Sequence, residues 1–228
     1  MSMKFPNSGD YASATQTFNF MNTLGTLTVW LKAPTTTTAA LAEITGTFTQ
    51  YLYVAYPGTG DVSYVDGTGF VNYGSGGFST STWIHVALRR SSNTVLNIMI
   101  NGSTTGTDAV DHSSDTSGVV ELGSLSVASG ASLCQCRMWN TNLSDAEITT
   151  EMNSATHVKT ANLFADWPMA NGTDTSDASG NGYTLTLNGT PTTDSGNPSQ
   201  GISAAQEYPA MFASLLSGGI VGVNHLRT

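Results

Sequence analysis

Charge is the first thing this chain has little of. Asp, Glu, Lys and Arg together make up 10% of its 228 residues, against roughly 25% in an ordinary soluble domain. Basic residues are scarcer still, with 7 Lys and Arg against 16 Asp and Glu and a net charge of -9. No basic cluster exceeds Arg89-Arg90, so the phosphate neutralisation that nucleic-acid binding needs is missing, and nucleic acid is excluded as a partner. Cysteine is nearly absent. Cys134 and Cys136 lie two apart, a spacing that in a strand sends both side chains to one face and disfavours a mutual disulfide. Both are expected as free, packed thiols, and no Cys or His nearby supplies a zinc spacing. Long apolar runs are missing too. The longest, Met211 to Val223 (MFASLLSGGIVGV), is broken by glycines and falls short of the roughly 20 residues a bilayer requires, so no membrane span is expected. The opening MSMKFPNSGDY has a lysine but no apolar stretch behind it, which does not fit a secretory signal. The expectation is a protein that stays in the cytoplasm or leaves by another route.

What fills the chain instead is Thr, Ser, Gly and Asn, arranged as short β-branched or alternating runs between glycine turns. TLTVWLKA, QYLYVAY, VSYV, WIHVALRR, VLNIMING and VVELGSL follow one another, punctuated by PGTG, DGTG, GSGG and NG. That spacing predicts one large antiparallel all-β domain. Asn101-Gly102 is the sharpest turn signal, since both residues take positive φ at low cost in a tight hairpin. The exception is CRMWNTNLSDAEITTEM, Cys136 to Met152. There Ser144 can accept from the amide of Glu147 while Glu147 returns the bond to the Ser144 amide, the capping-box arrangement. With Leu143, Ile148 and Met152 as an apolar stripe, a helix is predicted from Asp145 to Asn153, closing one end of the β core. The strand-and-turn pattern resumes from Leu163 to about Thr190. Residues 1–193 are thus read as the β domain, 194–206 as a linker and 207–228 as an apolar arm. In that arm Met211, Phe212, Leu215, Leu216, Ile220 and Val221 are the candidates for docking or oligomer contacts, because an apolar terminus needs something to bury it.

Taken in order, KFPNSGDYAS, LTVWLKA, WIHVALRR, LNIMING, VELGS, CRMWNTNLSDAEI and DWPMANGTDTSDASGNGYTLTLNG resemble the laminin-G-like members of the concanavalin A-like superfamily, over roughly Met3 to Pro191. The resemblance implies a two-sheet antiparallel jelly-roll sandwich with the capped helix as its lid. Domains of that kind bind glycans or proteins, some with calcium, and many serve as structural modules, so the fold alone does not choose among these.

Candidate sites follow from residue type and position. The resemblance puts Trp30, Trp83, Trp139 and Trp167 in the core or on a sheet face. The surplus aromatics are Tyr51, Tyr53, Tyr56, Tyr64, Phe70 and Tyr73; Tyr51 and Tyr53 share a face by strand periodicity, and amphipathic rings at a wet surface suit glycan or partner contact. For a cation, the related strand is acidic where this one reads LCQCR, with Cys134 and Gln135 in place of Asp and Glu, which counts against a site there. Two oxygen-rich loops remain, with Asp108, Asp111 and Asp115 in one and Asp174, Asp177 and Asn181 in the other; neither has EF-hand spacing, and turn formation accounts for both. Calcium is possible there but not favoured, and no other cofactor is expected. A glycosidase would need two carboxylates about 5 to 9 Å apart across a cleft, and no single strand carries such a set. Asp145, Glu147 and Glu151 fit a helix end and a solvated face, and His85 has no Ser or Cys in a nucleophile-elbow context.

The expectation is therefore a non-enzymatic structural or recognition protein on the exterior of an assembly, a phage capsid-decoration or tail-associated protein at the virion surface. It would be homo-oligomeric, partnered by other virion proteins and in contact with glycans. The alternative is a free or cell-surface carbohydrate-binding module.

Overall fold

The computed structural model describes residues 1–18, 25–33, 39–45, 50–54, 62–65, 70–73, 81–92, 94–109, 118–123 and 130–198. Tyr56, Asp111, Asp115 and the arm from 207 onward lie outside them. The described strands form two antiparallel sheets. The eight-stranded sheet runs β10 (Ser103–Asp108), β9 (Val95–Ile100), β8 (Ile84–Ser92), β3 (Gly25–Lys32), β12 (Ala131–Trp139), β1 (Ser2–Phe5) and β15 (Thr192–Asp194), with β13 (Leu163–Trp167) against the second half of β12. The seven-stranded sheet runs β14 (Leu185–Asn188), β2 (Tyr11–Phe18), β11 (Gly118–Gly123), β4 (Ala39–Thr45), β5 (Gln50–Val54), β6 (Val62–Val65) and β7 (Phe70–Tyr73). This is the all-β jelly-roll sandwich that the motif order implied.

Alternation builds the core. In β9, VLNIMI, Leu96 and Ile98 are buried while Val95 and Asn97 are half-buried, the period-two signature of a sheet packed on one face. Inward side chains of both sheets, among them Phe5, Val29, Leu31, Val86, Leu122 and Trp167, share a single cluster. The Asn101-Gly102 turn forms as predicted, with φ of 50° and 80°, joining β9 to β10 by a two-residue loop. The Asn101 side chain accepts from the amide of His85 at 2.9 Å.

Every residue of β12 is buried, as are Gly25 to Leu31 of β3, so alternation with solvent fails there. The cause is a third layer. Helix α1 (Asp145–Met152) carries the predicted capping box at Ser144 and Glu147, and its flanking Leu143 and internal Ile148 pack on Ala87, Met99 and Trp139. Those three sit on the outward face of the eight-stranded sheet. The helix therefore covers a sheet face and does not close an end of the core. The apolar residues it needs stand on that face, a fact fixed by strand register and invisible in the helix's own pattern.

The two cysteines are free and buried, but they do not share a face. Cys134 packs with Trp30 and Met152 on the outward side, whereas Cys136 belongs to the main core. Between the pairs Cys134–Trp30 and Arg137–Thr28, β12 has two residues where β3 has one. Gln135 takes φ of 51°, and the resulting bulge shifts the alternation by one residue. Burial pushes the Cys134 thiol up to about 12 and raises that of Cys136 further, so both remain protonated and unreactive.

Candidate recognition face

The outward faces of the two sheets differ, and the difference begins with one arginine. Arg137 is 1% exposed. Its guanidinium meets Glu151 Oε2 at 3.0 Å and Asp166 Oδ1 at 3.4 Å, and donates to the carbonyls of Glu151 and Ser154, both at 3.0 Å. Glu151 in turn accepts from the amides of Val158 and Lys159, and His157 Nδ1 lies 2.7 Å from Asp166 Oδ2. The indole of Trp139 donates to the Lys159 carbonyl at 2.8 Å. At the other end of α1, Arg89 bonds the Leu143 carbonyl and the Asp145 carboxylate. The strand-to-helix motif is thus a clamp. Its arginine locks the helix and the loop after it onto the sheet.

His85 lies on the same face, 2% exposed and edge-on to Trp30 with ring centroids 5.3 Å apart. Burial, aided by the Arg137 charge, pushes its pKa down to about 3. A neutral imidazole sealed under an indole has no route to a substrate.

The oxygen-rich loop after β13 is also occupied by its own backbone. Asp174 accepts from the amides of Ala170 and Ser176. Burial opposes the charge of Asp177, but the amides of Asp166, Ser179 and Tyr183 and the Ser179 hydroxyl outweigh it and hold the carboxyl below its ordinary range. Asn181 donates to the carbonyls of Leu163 and Phe164. These contacts shape turns. Among the described residues no group of three or more His, Cys, Asp or Glu could hold a metal ion, and no helix is long and apolar enough to cross a membrane.

The seven-stranded sheet presents the opposite situation. Val120 and Leu122 are fully buried while Val119 and Glu121 are half-buried, which assigns Glu121 to the outward face. Strand register then extends a row across that face: Thr186 opposite Ser13, Ser13 opposite Glu121, Glu121 opposite Glu43, Glu43 opposite Tyr51, and on through Val65 to Phe70. Tyr53 stands two along from Tyr51, in line with Ser63 and Asn72. Tyr64 and Tyr73 fall on the alternate face with Val62, which is 1% exposed. The tyrosine-rich run is therefore divided by register, with Tyr51, Tyr53 and Phe70 at outward positions and Tyr64 and Tyr73 at core-side positions. No described helix or strand lies over the outward face, and Gln16, Thr17 and Thr186 on it are exposed. Sequence reasoning missed the opposition of Glu43 and Glu121, because the two sit 78 positions apart and only pairing brings them together. Burial raises the pKa of the Glu121 carboxyl.

Comparison with known proteins agrees with this architecture. Residues 6–149 match a laminin-G-type family model described as the concanavalin A-like lectin/glucanases superfamily. No curated protein matches the chain in sequence. Among solved structures, a heptameric SAP-like pentraxin from Limulus polyphemus superimposes with TM-score 0.59 at 16% identity, over 83% of this chain and 92% of that one. A Bacteroides ovatus protein, provisionally assigned to carbohydrate binding, gives 0.63 at 16% identity over 87% of this chain and 61% of its own. The receptor binding domain of a botulinum neurotoxin C/D mosaic gives 0.51 at 13% identity, over 65% of this chain and 41% of that domain. At these identities the likeness is one of fold. The matched family model covers more than half of the residues, and the chain belongs to the concanavalin A-like lectin/glucanase superfamily.

Proposed function

We propose that this protein is a non-catalytic recognition module that contacts glycans through the outward face of its seven-stranded sheet. The carrying observation is the asymmetry of the sandwich: the Arg137 clamp and α1 occupy one outward face, while the other displays a row of polar and aromatic positions under no described element. Sugar C–H faces stack on aromatic rings, and amphipathic tyrosines supply both a ring and a hydroxyl. Two of the structural neighbours, the Bacteroides ovatus protein and the neurotoxin domain, are described as carbohydrate- or receptor-binding. That is consistent with the reading. A non-catalytic role is supported by the tasks already held by Glu147, Glu151, Asp166, Asp174 and Asp177 and by the burial of His85. The test is a glycan array on the full chain and on Tyr51→Ala/Tyr53→Ala, with reducing-end release assayed on every glycan retained. Binding lost in the variant, with an unchanged circular dichroism spectrum and no released sugar, is expected. No retained glycan, or turnover of one, contradicts the reading.

A second reading concerns where the module is displayed. The charge-poor Thr/Ser/Gly surface and the apolar segment Met211 to Val223 support display on the exterior of an assembly, a phage capsid or tail being the case proposed, with that segment docking the module as a homo-oligomer. Deletion of residues 207–228 should then abolish oligomerisation and co-sedimentation with particles.

A further inference from the structure

Asn-Gly is the step at which a chain most readily modifies itself, because glycine puts no side chain in the way when its amide nitrogen turns onto the asparagine side-chain carbonyl. This chain has four such steps, at Asn101, Asn171, Asn181 and Asn188. The fold restrains three of them. The Asn101 side-chain oxygen accepts from the His85 amide at 2.9 Å, and its turn is packed on α1, where a Cβ at Gly102 would touch Met152 and Thr149 at 3.4 Å. Asn171 accepts from the amide and the hydroxyl of Thr173, both at 2.9 Å. The amide of Gly172, a buried residue, is itself engaged, donating to Thr193 Oγ1 at 3.0 Å. Asn181 donates its side-chain amide to the carbonyls of Leu163 and Phe164 at 3.0 and 2.8 Å. Asn188 differs. It ends β14 at the margin of the seven-stranded sheet, opposite Tyr11 and, by alternation, on the outward face with Thr186. Its side chain has no hydrogen-bond partner among the described residues, and Gly189 after it is exposed, with φ of 79°.

We propose that Asn188 is a self-modification site, at which the folded chain loses a side-chain amide in preference to the other three. The Gly189 backbone nitrogen attacks Asn188 Cγ and gives up its proton to water. The Cγ–Nδ2 bond breaks, the side-chain nitrogen leaves as ammonia, and a five-membered succinimide closes between side chain and backbone. Water then adds to one of the two succinimide carbonyls, opening the ring to aspartate or, with the chain rerouted through the side chain, to isoaspartate. In net terms one amide and one water become one carboxylate and one ammonium, and nothing is oxidised or reduced. The consequence is local. Asp10, 4% exposed, accepts from the amides of Asn7 at 2.8 Å and Thr190 at 3.0 Å, and Gly189 runs so close that a Cβ there would collide with the Asp10 carboxylate. An isoaspartyl linkage inserts an extra carbon into the backbone just before this lock and displaces Thr190 from Asp10. Either product also places a new carboxylate on the outward face of the seven-stranded sheet.

The experiment is incubation of the folded full chain in mildly alkaline buffer, where the attacking amide is more readily deprotonated, beside the same chain held unfolded in urea. Acidic species are separated by ion exchange, each site is read by peptide mass mapping, and isoaspartate is identified by isoaspartyl methyltransferase labelling. In the unfolded chain all four steps should convert. In the folded chain Asn188 should convert first, with Asn101, Asn171 and Asn181 retained, and the isoaspartyl form should unfold at a lower denaturant concentration than the parent. Asn188→Gln and, as a shorter replacement, Asn188→Ser should keep the parent's circular dichroism spectrum and lose the first acidic species. Earlier conversion at any other asparagine, equal conversion at all four steps in the folded chain, persistence of the first acidic species in both variants, or a folded chain that stays unconverted while the unfolded one is consumed overturns the proposal.

Discussion

At the residue scale, Arg137 ties two buried carboxylates and two backbone carbonyls together. Its replacement by Ala would leave Glu151 and Asp166, 1% and 3% exposed, as buried carboxylates without their cation. Breaking such a pair from one side costs about 3–5 kcal/mol, so Arg137→Ala should lower the denaturant midpoint by a corresponding amount or prevent folding, as chemical unfolding will show. The motif CRMWN contains the arginine, but its burial shows only in the fold, where every residue of β12 is buried. Its partners were not visible, because Glu151 and Asp166 lie 14 and 29 positions away and only the folded helix and β13 bring them in.

Two surface carboxylates predict the acid behaviour. Burial opposes the charge of Asp194, but Lys32, Ser132 and the Gly196 amide outweigh it and hold the pKa at about 2, below the ordinary 3.8. Lys159, then the Ser144 amide and hydroxyl, hold Glu147 at about 2 against an ordinary 4.5. Both groups bind protons more weakly folded than unfolded, so the stability they confer is complete above about pH 4.5 and is lost as pH falls toward 2. Glu147 contributes the smaller share, because its side chain is 36% exposed and solvent screens it. Unfolding free energy measured from pH 5 downward should therefore decline with a slope that Lys32→Met reduces.

At the scale of elements, what could be read from the chain were periods and turns. Strands, the Asn101-Gly102 hairpin and the capping box all depend on residues within a few positions of one another, and the predicted helix Asp145 to Asn153 differs from the observed one only in Asn153, which serves as the C-cap. The bulge at Gln135 escaped, because nothing in LCQCR announces a residue with φ of 51°; the inserted residue separated two cysteines that simple alternation placed together. The helix's location escaped for a related reason, since its own stripe gives an apolar face but not the sheet that receives it. The cap itself allows a quantitative check. Ser144→Ala removes both the acceptor for the Glu147 amide at 3.3 Å and the hydroxyl contact to its carboxylate at 2.9 Å, and should cost about 1 kcal/mol in thermal or chemical unfolding without loss of the β-sheet spectrum.

At the scale of the whole molecule, α1 and the loop after it lie over the eight-stranded sheet, while among the described elements none lies over the outward face of the other. The division was only half legible in the sequence. The tyrosines drew attention to β5, β6 and β7, yet the choice of Tyr51 and Tyr53 over Tyr64 and Tyr73 depends on register with Val62, and the facing of Glu43 with Glu121 depends on β4 and β11 being neighbours.

The most direct measurement is chemical-shift mapping of the isotopically labelled full chain, titrated with whichever oligosaccharide it retains. The account predicts perturbations concentrated in β2, β4, β5 and β11, with α1 and the Lys159 region unmoved. Perturbations centred on α1, Trp83 or the turn around Asp174 and Asp177, with the seven-stranded sheet silent, would contradict it.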